Sequence, residues 1–195
     1  MAKIKICGLK RPEDISYVNK LNPDYVGFVL SNGYKRSIDM AQLRKLRDKL
    51  NSNIKAVGVF VNEPVDIVNA CVKMELIDMV QLHGSEDIEY VKQIKAPVIK
   101  ALKPSEFNLV KDYQAYVDYF LFDSGTGTGK SFDWSIIPKT DTEFFLAGGI
   151  GSNNLREAIS TVKPYAVDLS SSIETDGYKD YDKIKEVIEI VRSTQ

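Results

Sequence analysis

The sequence predicts an α/β fold, a single small (β/α)₈ barrel that covers residues 1–195. Short apolar runs alternate with helical patterns eight times along the chain, and this alternation is typical of parallel strands covered by helices. Eight strand–helix units favour a closed barrel over an open doubly wound sheet, which is the alternative. A barrel of 195 residues must have short loops. No linker or low-complexity segment divides the chain.

The composition is that of a globular protein, with 44% hydrophobic and 27% charged residues. A formal net charge of −1 gives no support for a nucleic-acid or membrane partner. No stretch is long and apolar enough for a membrane span, and residues 1–7 do not resemble a signal peptide. Two cysteines make neither a disulfide framework nor a metal cluster. We therefore expect a reduced, cytoplasmic protein, and a monomer because no long exposed apolar stripe is visible.

The predicted strands are short runs of aliphatic and aromatic side chains, several of which end in a glycine or serine turn. In chain order they are Ile4–Gly8, Tyr25–Leu30, Lys55–Val61, Met79–Gly84, Val98–Leu102, Tyr119–Phe122, Glu143–Gly149 and Ala166–Ser170.

The segments between the strands carry helical periodicity. Leu43, Leu46 and Leu50 show the spacing of one helix face. Pro12 lies at the start of the first helix, where its missing N–H costs nothing. The predicted helices are Pro12–Leu21, Asp39–Leu50, Pro64–Met74, Glu86–Lys95, a weaker one near Glu106–Tyr116, a short one at Phe132–Ile137, one that Asn153 or Asn154 caps and that ends at Val162, and Tyr181–Val191.

One stretch, residues 119–130, joins a buried strand to a carboxylate and a glycine-rich segment that are candidates for a catalytic site. The sixth strand leads to Asp123, and a lone carboxylate that ends an apolar strand must be paired, metal-bound or functional. The glycine-rich segment 125–131 nearly matches a phosphate-binding P-loop. Ser124 stands at the first glycine position, however, and no clear long helix follows. We interpret the segment as a mobile lid.

A barrel carries its active site at the carboxyl ends of its strands, where Cys7 and His83 also lie. A free cysteine is most often a small buried residue, and it acts as a base near neutral pH only where its surroundings lower its pKa. Cys71, in a helix, is expected in the core. His83 is the only histidine, and no metal site is predicted beside it. It is expected to pack with a satisfied hydrogen bond, or to orient a ligand.

Two turns of small residues follow the seventh and eighth strands, where barrels commonly hold a phosphate. Their candidate N–H donors are Gly149, Ile150, Ser171 and Ser172. Arg36 is a candidate anchor for a carboxylate. Lys5 and Asp168 lie on neighbouring strands, and we expect them to meet inside the barrel.

Together these motifs resemble the phosphoribosylanthranilate isomerase family of tryptophan biosynthesis, essentially from end to end. The matching pieces are Lys5–Gly8, Asp24–Phe28, Lys35–Arg36, Val57–Asn62, Val80–Gly84, Phe122–Asp123, Gly127–Lys130, Phe132–Trp134, Ala147–Gly149, Asn154, Val167–Ser171, Glu174 and Lys179–Asp180. The segment after Asp123 is shorter than is usual in the family. Ser172 stands where the family usually has Gly, a substitution that is strained if φ is positive there.

The resemblance implies a barrel enzyme that uses no metal or organic cofactor and binds a small phosphorylated substrate. It implies an Amadori rearrangement of N-(5-phosphoribosyl)anthranilate to 1-(2-carboxyphenylamino)-1-deoxyribulose 5-phosphate. Cys7 then is the general base, Asp123 the general acid and Arg36 the partner of the anthranilate carboxylate. His83 and the two turns complete the substrate-binding set, with the turns on the phosphate.

Two alternative functions remain beside this interpretation. The first is another phosphosugar barrel enzyme, similar to indole-glycerol-phosphate synthase or to a histidine-pathway isomerase. Those relatives use other acids and bases than a Cys7–Asp123 pair. The second is a catalytically silent barrel that only binds phosphorylated ligands.

Overall fold

The computed structural model describes residues 2–124 and 133–194, and it confirms the predicted closed barrel. Eight parallel strands are paired in chain order, and the first also pairs with the last. The strands are β1 (Lys3–Cys7), β2 (Tyr25–Val29), β3 (Lys55–Phe60), β4 (Met79–Leu82), β5 (Val98–Leu102), β6 (Tyr119–Phe122), β7 (Phe144–Leu146) and β8 (Ala166–Leu169).

Helices of very different length connect the strands. They are α1 (Pro12–Leu21), α2 (Met40–Arg47), α3 (Val65–Lys73), α4 (Ile88–Val91), α5 (Val110–Tyr113), α6 (Leu155–Val162) and α7 (Tyr181–Ser193). Three of these helices have an aspartate as the N-cap residue. The side chains of Asp39, Asp87 and Asp180 each accept hydrogen bonds from N–H groups of the first turn. Those N–H groups have no partner within the helix, so each cap stabilises its helix start by about 1 kcal/mol.

Three predicted helices differ from the structure. The helix predicted from Glu86 is only α4, because the Glu86 carboxylate turns inward to accept from the backbone N–H of Asn62 and from Lys100, and Asp87 caps the helix instead. The weak helix near residues 106–116 is a 3₁₀ segment, Pro104–Leu109, followed by α5. Of the helix predicted at residues 132–137, the described part forms one 3₁₀ turn, Trp134–Ile136.

Alternate strand positions point into the barrel and divide it into an apolar and a polar half. The apolar half is filled by Tyr25, Val57, Met79, Ile99, Ala101, Leu121, Phe145, Ala147 and Ala166. Two positions after Met79 the inward residue is Gln81, and two positions after Ala166 it is Asp168. The inward side chains therefore become polar towards the carboxyl ends of the strands, where the candidate site residues lie.

A small hairpin that the sequence reading did not predict lies between β8 and α7. It pairs β9 (Glu174–Thr175) with β10 (Tyr178–Lys179) in antiparallel fashion. Gly177, with φ of 79°, occupies the turn in a conformation that suits glycine. None of the described helices has both the length and the apolarity that a membrane span requires.

Candidate active site

All eight residues predicted for the site surround one cavity of about 410 Å³ at the carboxyl ends of the strands. They are Cys7, Arg36, His83, Asp123, Gly149, Ile150, Ser171 and Ser172. The predicted lid, residues 125–131, lies outside the described residues. Among those described, no group of three or more His, Cys, Asp or Glu side chains is arranged to hold a metal ion.

Cys7 ends β1 on the inner face of the barrel and is 8% exposed. Burial raises the pKa of its thiol, and the nearby Lys5 ammonium opposes this rise without reversing it. The condition for a thiolate near neutral pH, a lowered pKa, is therefore not met in the free protein. Gly27 on β2 makes room for the group, because a Cβ there would lie 2.6 Å from Cys7 Sγ and 3.2 Å from Lys5 Nζ.

Lys5 and Asp168 meet inside the barrel, as predicted, with Nζ and Oδ2 2.9 Å apart. Lys5 is fully buried. Burial favours the neutral amine, but the interactions with Asp168 and Cys7 together outweigh it and keep the pKa of Lys5 above its ordinary value. Lys5 also donates to Gln81 Oε1 at 2.8 Å. The second oxygen of the pair, Asp168 Oδ1, is buried and has no hydrogen-bond partner among the described residues.

His83 and Asp123 face each other across the same cavity. His83 Nε2 lies 3.7 Å from Asp123 Oδ2. Ser124 Oγ donates to Asp123 Oδ1 at 3.4 Å, and the other ring nitrogen of His83 lies 2.9 Å from Gln81 Nε2. Burial lowers the pKa of His83, against the attraction of the Asp123 carboxylate, so the imidazole is neutral at pH 7.

The β9–β10 hairpin contacts Arg36 on one side and fixes its orientation. Its Nε and Nη2 donate to the two oxygens of Glu174 at 2.6 and 2.8 Å. Lys179 donates to Glu174 Oε1 at 2.8 Å and to the Ser170 carbonyl at 2.9 Å. Gly8, with φ of 83°, lies under Arg36, because a Cβ at this position would clash with Arg36 Cδ. The guanidinium has five donors, so part of it stays available to a ligand in the cavity.

The Glu174 carboxylate is stabilised in its charged form. Burial opposes ionisation, but the hydrogen bonds from Arg36 and Lys179 outweigh it and lower the pKa of Glu174 to about 2 from an ordinary value of 4.5. A depressed pKa means that this stabilisation is complete above pH 4.5 and is lost as the pH falls towards 2.

Glu174→Gln is therefore expected to reduce the free energy of unfolding by roughly 1–2 kcal/mol at pH 6, because solvent screens part of the interaction, and by less as the pH approaches 3. Urea unfolding of both proteins across this range measures the difference. Glu186→Gln, on an exposed position of α7, is the matched control. A gap between wild type and Glu174→Gln that stays constant with pH would contradict the expectation.

The turns after β7 and β8 form the other end of the cavity. Gly148 and Gly149 have φ of 78° and 70°. Asn154 fixes this turn, because its side chain donates to the Gly149 carbonyl and accepts from the Gly151 N–H, each at 2.9 Å. Within the described part of the chain, the N–H groups of Gly149 and Ile150 have no hydrogen-bond acceptor.

Ser172 lies beside the same turn, 3.2 Å from the point where a Cβ on Gly151 would stand. It is not among the residues with positive φ, so the strain considered for a serine at this position does not arise.

The sequence reading assigned no role to Gln81, Glu174 or Lys179. Gln81 could have been singled out, because it is a polar residue between two apolar ones in a buried strand. Glu174 and Lys179 appear in the sequence analysis only among the pieces that match the family, with no function assigned. Their contacts with Arg36 and Ser170 depend on a hairpin of two-residue strands that leaves no clear pattern in the sequence.

Comparison with known proteins decides the family. The model of the N-(5'-phosphoribosyl)anthranilate (PRA) isomerase family matches residues 4–190. The chain belongs to this family. It is therefore an isomerase of tryptophan biosynthesis, and the resemblance read from the sequence is confirmed. The N-(5'-phosphoribosyl)anthranilate isomerase of Endomicrobium trichonymphae is 47% identical, and the match covers 99% of this chain and all of the relative.

Solved isomerase structures have the same fold. Phosphoribosylanthranilate isomerase from Thermotoga maritima matches with a TM-score of 0.90 and 35% identity, over 98% of this chain and 99% of that one. A second structure, in complex with reduced 1-(o-carboxyphenylamino)-1-deoxyribulose 5-phosphate, matches with a TM-score of 0.85 and 32% identity over 98% and 99%. A third shows monomers generated from the dimeric Thermotoga maritima enzyme, with a TM-score of 0.88 and 35% identity over 98% and 99%.

Proposed function

We propose that Cys7 and Asp123 are the general base and general acid with which this chain converts N-(5'-phosphoribosyl)anthranilate to 1-(2-carboxyphenylamino)-1-deoxyribulose 5-phosphate. The observation that carries the proposal is the arrangement of the cavity walls. Cys7 ends β1 and Asp123 follows β6, three strands away around the barrel, so both side chains reach one cavity from different sides. Two anion-binding elements, Arg36 and the turns after β7 and β8, lie on the same cavity.

The first step opens the ribose ring. Asp123, in its protonated form, gives its proton to the departing ring oxygen as the bond from that oxygen to the anomeric carbon breaks. The nitrogen lone pair forms a C=N bond, and the product is an iminium cation with a free hydroxyl on the sugar chain. A positioned acid contributes roughly 10²–10⁴ in rate to a step of this kind.

The second step moves a proton from carbon. The iminium acidifies the neighbouring ribose carbon, and Cys7 as thiolate removes its proton to give a thiol and an enolamine. The enol hydroxyl then loses its proton as the former anomeric carbon gains one, which gives the ketone, and exchange with solvent restores Asp123 and Cys7. Because burial raises the pKa of Cys7, the thiolate is a minor form in the free protein, and solvent takes the thiol proton when it forms. A cationic iminium beside the sulfur favours the thiolate by direct attraction, so the base becomes competent when the intermediate needs it.

The two ends of the substrate are anions, and each has a matching element. Arg36 presents its remaining N–H donors to the anthranilate carboxylate, with its orientation held by Glu174. The phosphate binds to the N–H groups of Gly149 and Ile150, which have no acceptor among the described residues, and to the Ser171–Ser172 turn. Anchoring both ends holds the sugar between acid and base, which lowers the entropic barrier to each proton transfer.

Arg36→Lys is expected to raise KM about 10-fold and to change kcat much less. Lysine keeps the charge but loses the planar fork that binds Glu174 and a carboxylate together, and a charge-assisted hydrogen bond contributes about 1.5–3 kcal/mol. Steady-state kinetics measure the two constants. Arg44→Lys, the same change on an exposed position of α2, is the control. An unchanged KM for Arg36→Lys would remove Arg36 from carboxylate binding.

A fluorescence assay tests the reaction itself. Phosphoribosylanthranilate generated in situ is mixed with the purified protein, and its anthranilate-type emission is followed. Decay that depends on the protein supports the proposal. Retained binding of a phosphorylated ligand without decay would instead favour a silent barrel. Turnover of an indole-glycerol-phosphate synthase or histidine-pathway substrate, without decay in this assay, would favour a sister phosphosugar enzyme.

A single-domain monomer in the cytoplasm completes the proposal. Two buried, unpaired cysteines suit a reducing compartment. The exposed large apolar residues lie on different elements, Tyr34 before α2, Ile67 on α3 and Tyr178 on β10 among them. Sedimentation equilibrium measures the assembly state, and a mass of two chains at micromolar concentration would contradict the monomer.

A further inference from the structure

A chain of polar side chains crosses the barrel interior from Asp168 to Asp123. Lys5 Nζ donates to Asp168 Oδ2 at 2.9 Å and to Gln81 Oε1 at 2.8 Å. Gln81 Nε2 lies 2.9 Å from His83 Nδ1, and His83 Nε2 lies 3.7 Å from Asp123 Oδ2. Gln81 is 1% exposed and the steps above give it no role.

Lys5 fixes the direction of the hydrogen bonds along this chain. An ammonium group only donates, so the oxygen of the Gln81 amide must face Lys5 and its NH₂ must face His83. The NH₂ group also only donates, and His83 Nδ1 must therefore accept. A neutral imidazole whose Nδ1 accepts carries its proton on Nε2, the nitrogen that faces Asp123.

This assignment excludes the other forms of His83. An imidazolium, or the tautomer with a proton on Nδ1, would direct an N–H against the Gln81 NH₂ group. Turning the amide over would relieve that contact, but it would place the NH₂ group against the Lys5 ammonium. The lowered pKa of His83 agrees with a neutral ring. The charged neighbours that act on His83 are Asp123, Lys5, Asp168 and Glu86.

We propose that Gln81 is a positioning residue that holds His83 as the neutral Nε2–H tautomer, so that His83 cannot take the proton that Asp123 delivers to the substrate. This inference rests on the acid role proposed for Asp123. An imidazole is ordinarily a stronger base than a carboxylate, with pKa values of about 6.5 and 3.9. With a free lone pair on Nε2 it would take the proton of the adjacent acid. A proton already on Nε2 removes that lone pair.

The same N–H assists the acid once its proton has left. Asp123 becomes a carboxylate as the ring opens, and the His83 N–H lies 3.7 Å from its Oδ2. A displacement of less than 1 Å brings the two into hydrogen-bond range, so the donor acts where negative charge develops.

The single histidine makes the tautomer directly measurable. In protein labelled with ¹⁵N-histidine, two-bond ¹⁵N–¹H correlation spectra report His83 alone, and we expect a proton on Nε2 and a bare Nδ1. Gln81→Glu is a nearly isosteric change. One oxygen still accepts from Lys5, and the other requires a proton on Nδ1. The spectrum should therefore show Nδ1 protonated, and kcat should fall about 10-fold or more with little change in KM.

Two further variants separate positioning from damage to the fold. Gln114→Glu, at an exposed position after α5, should leave the spectrum and kcat unchanged. Adding His83→Asn to Gln81→Glu should recover part of the lost kcat, because an amide cannot take the proton of Asp123. A purely structural defect at residue 81 would not be relieved in this way.

The spectra decide the proposal even if the Gln81 variant does not fold, because the wild-type tautomer needs no variant. A wild-type His83 protonated on Nδ1, or on both nitrogens, would overturn it. So would a Gln81→Glu protein with an inverted tautomer and unchanged kcat. Absence of isomerase activity in the wild type would refute the proposed acid role, and the measured tautomer would be unaffected by that result.

Discussion

Asp123→Asn is expected to lower kcat by roughly 10²–10⁴ and to leave KM nearly unchanged. Asparagine has the same shape but no proton to give to the ribose ring oxygen. The anchors for the two substrate anions, Arg36 and the turn at Gly149, are not altered by the change. Decay of anthranilate-type emission at saturating substrate gives kcat, and its concentration dependence gives KM.

Among the described residues, two neighbours of Asp123 can also pair with an asparagine side chain. Ser124 Oγ and His83 Nε2 lie 3.4 and 3.7 Å from its two oxygens. The asparagine oxygen can face the His83 N–H, and its NH₂ can face the serine hydroxyl, which accepts as well as donates. Asp141→Asn, an exposed position before β7, is the matched control and should keep full activity. Wild-type kcat in Asp123→Asn would exclude this carboxylate as the acid.

The sequence was sufficient for the barrel and for most of the cavity wall. Strands buried on both faces are continuous apolar runs, so β5 is predicted to the residue and β1 within one residue at each end. Once the strands are placed, the barrel rule predicts that the residue that ends or follows each one lines the active site, and Cys7 and Asp123 are two such residues. The alternating direction of strand side chains likewise brings Lys5 and Asp168 together.

The sequence pattern could not predict contacts between side chains that are far apart in the chain. Arg36 and Glu174 are 138 positions apart, and Lys5 and Gln81 are 76 apart. No periodicity links such pairs, and each contact depends on side-chain directions that only the closed barrel defines. The predicted length of α4 was wrong for a related reason. Glu86 looks like a helix-starting residue locally, but its carboxylate is drawn inward by buried Lys100.

The direction of the Cys7 pKa also required the structure. Its sign depends on the balance between burial and the surrounding charges, which composition and spacing do not reveal. Lys5 lowers the pKa, but Lys5 is itself paired with Asp168, which raises it. The pair therefore supplies little net positive potential at the sulfur, and burial decides the outcome.

Cys7→Ser is expected to lower kcat by roughly 10²–10⁴, because a hydroxyl in the same buried place holds its proton more tightly than a thiol does. Ring opening to the iminium needs only Asp123, so the variant should be slow in the later step, the removal of the proton from the ribose carbon. Substitution of deuterium at that carbon should accordingly slow the variant. Cys71→Ser, on α3 and also buried, is the matched control for the chemical change.

The pH profile gives an independent measure of the same base. The active form carries a protonated Asp123 and a deprotonated Cys7, so the profile of kcat/KM should change slope at the pKa of Cys7 in the free protein. That pKa is raised by burial above its ordinary value of 9.0, which places this change of slope on the alkaline side. Cys7→Ser should remove it within the accessible pH range, and Cys71→Ser should keep it. If Cys7→Ser kept both the change of slope and wild-type turnover, another group would have to be the base.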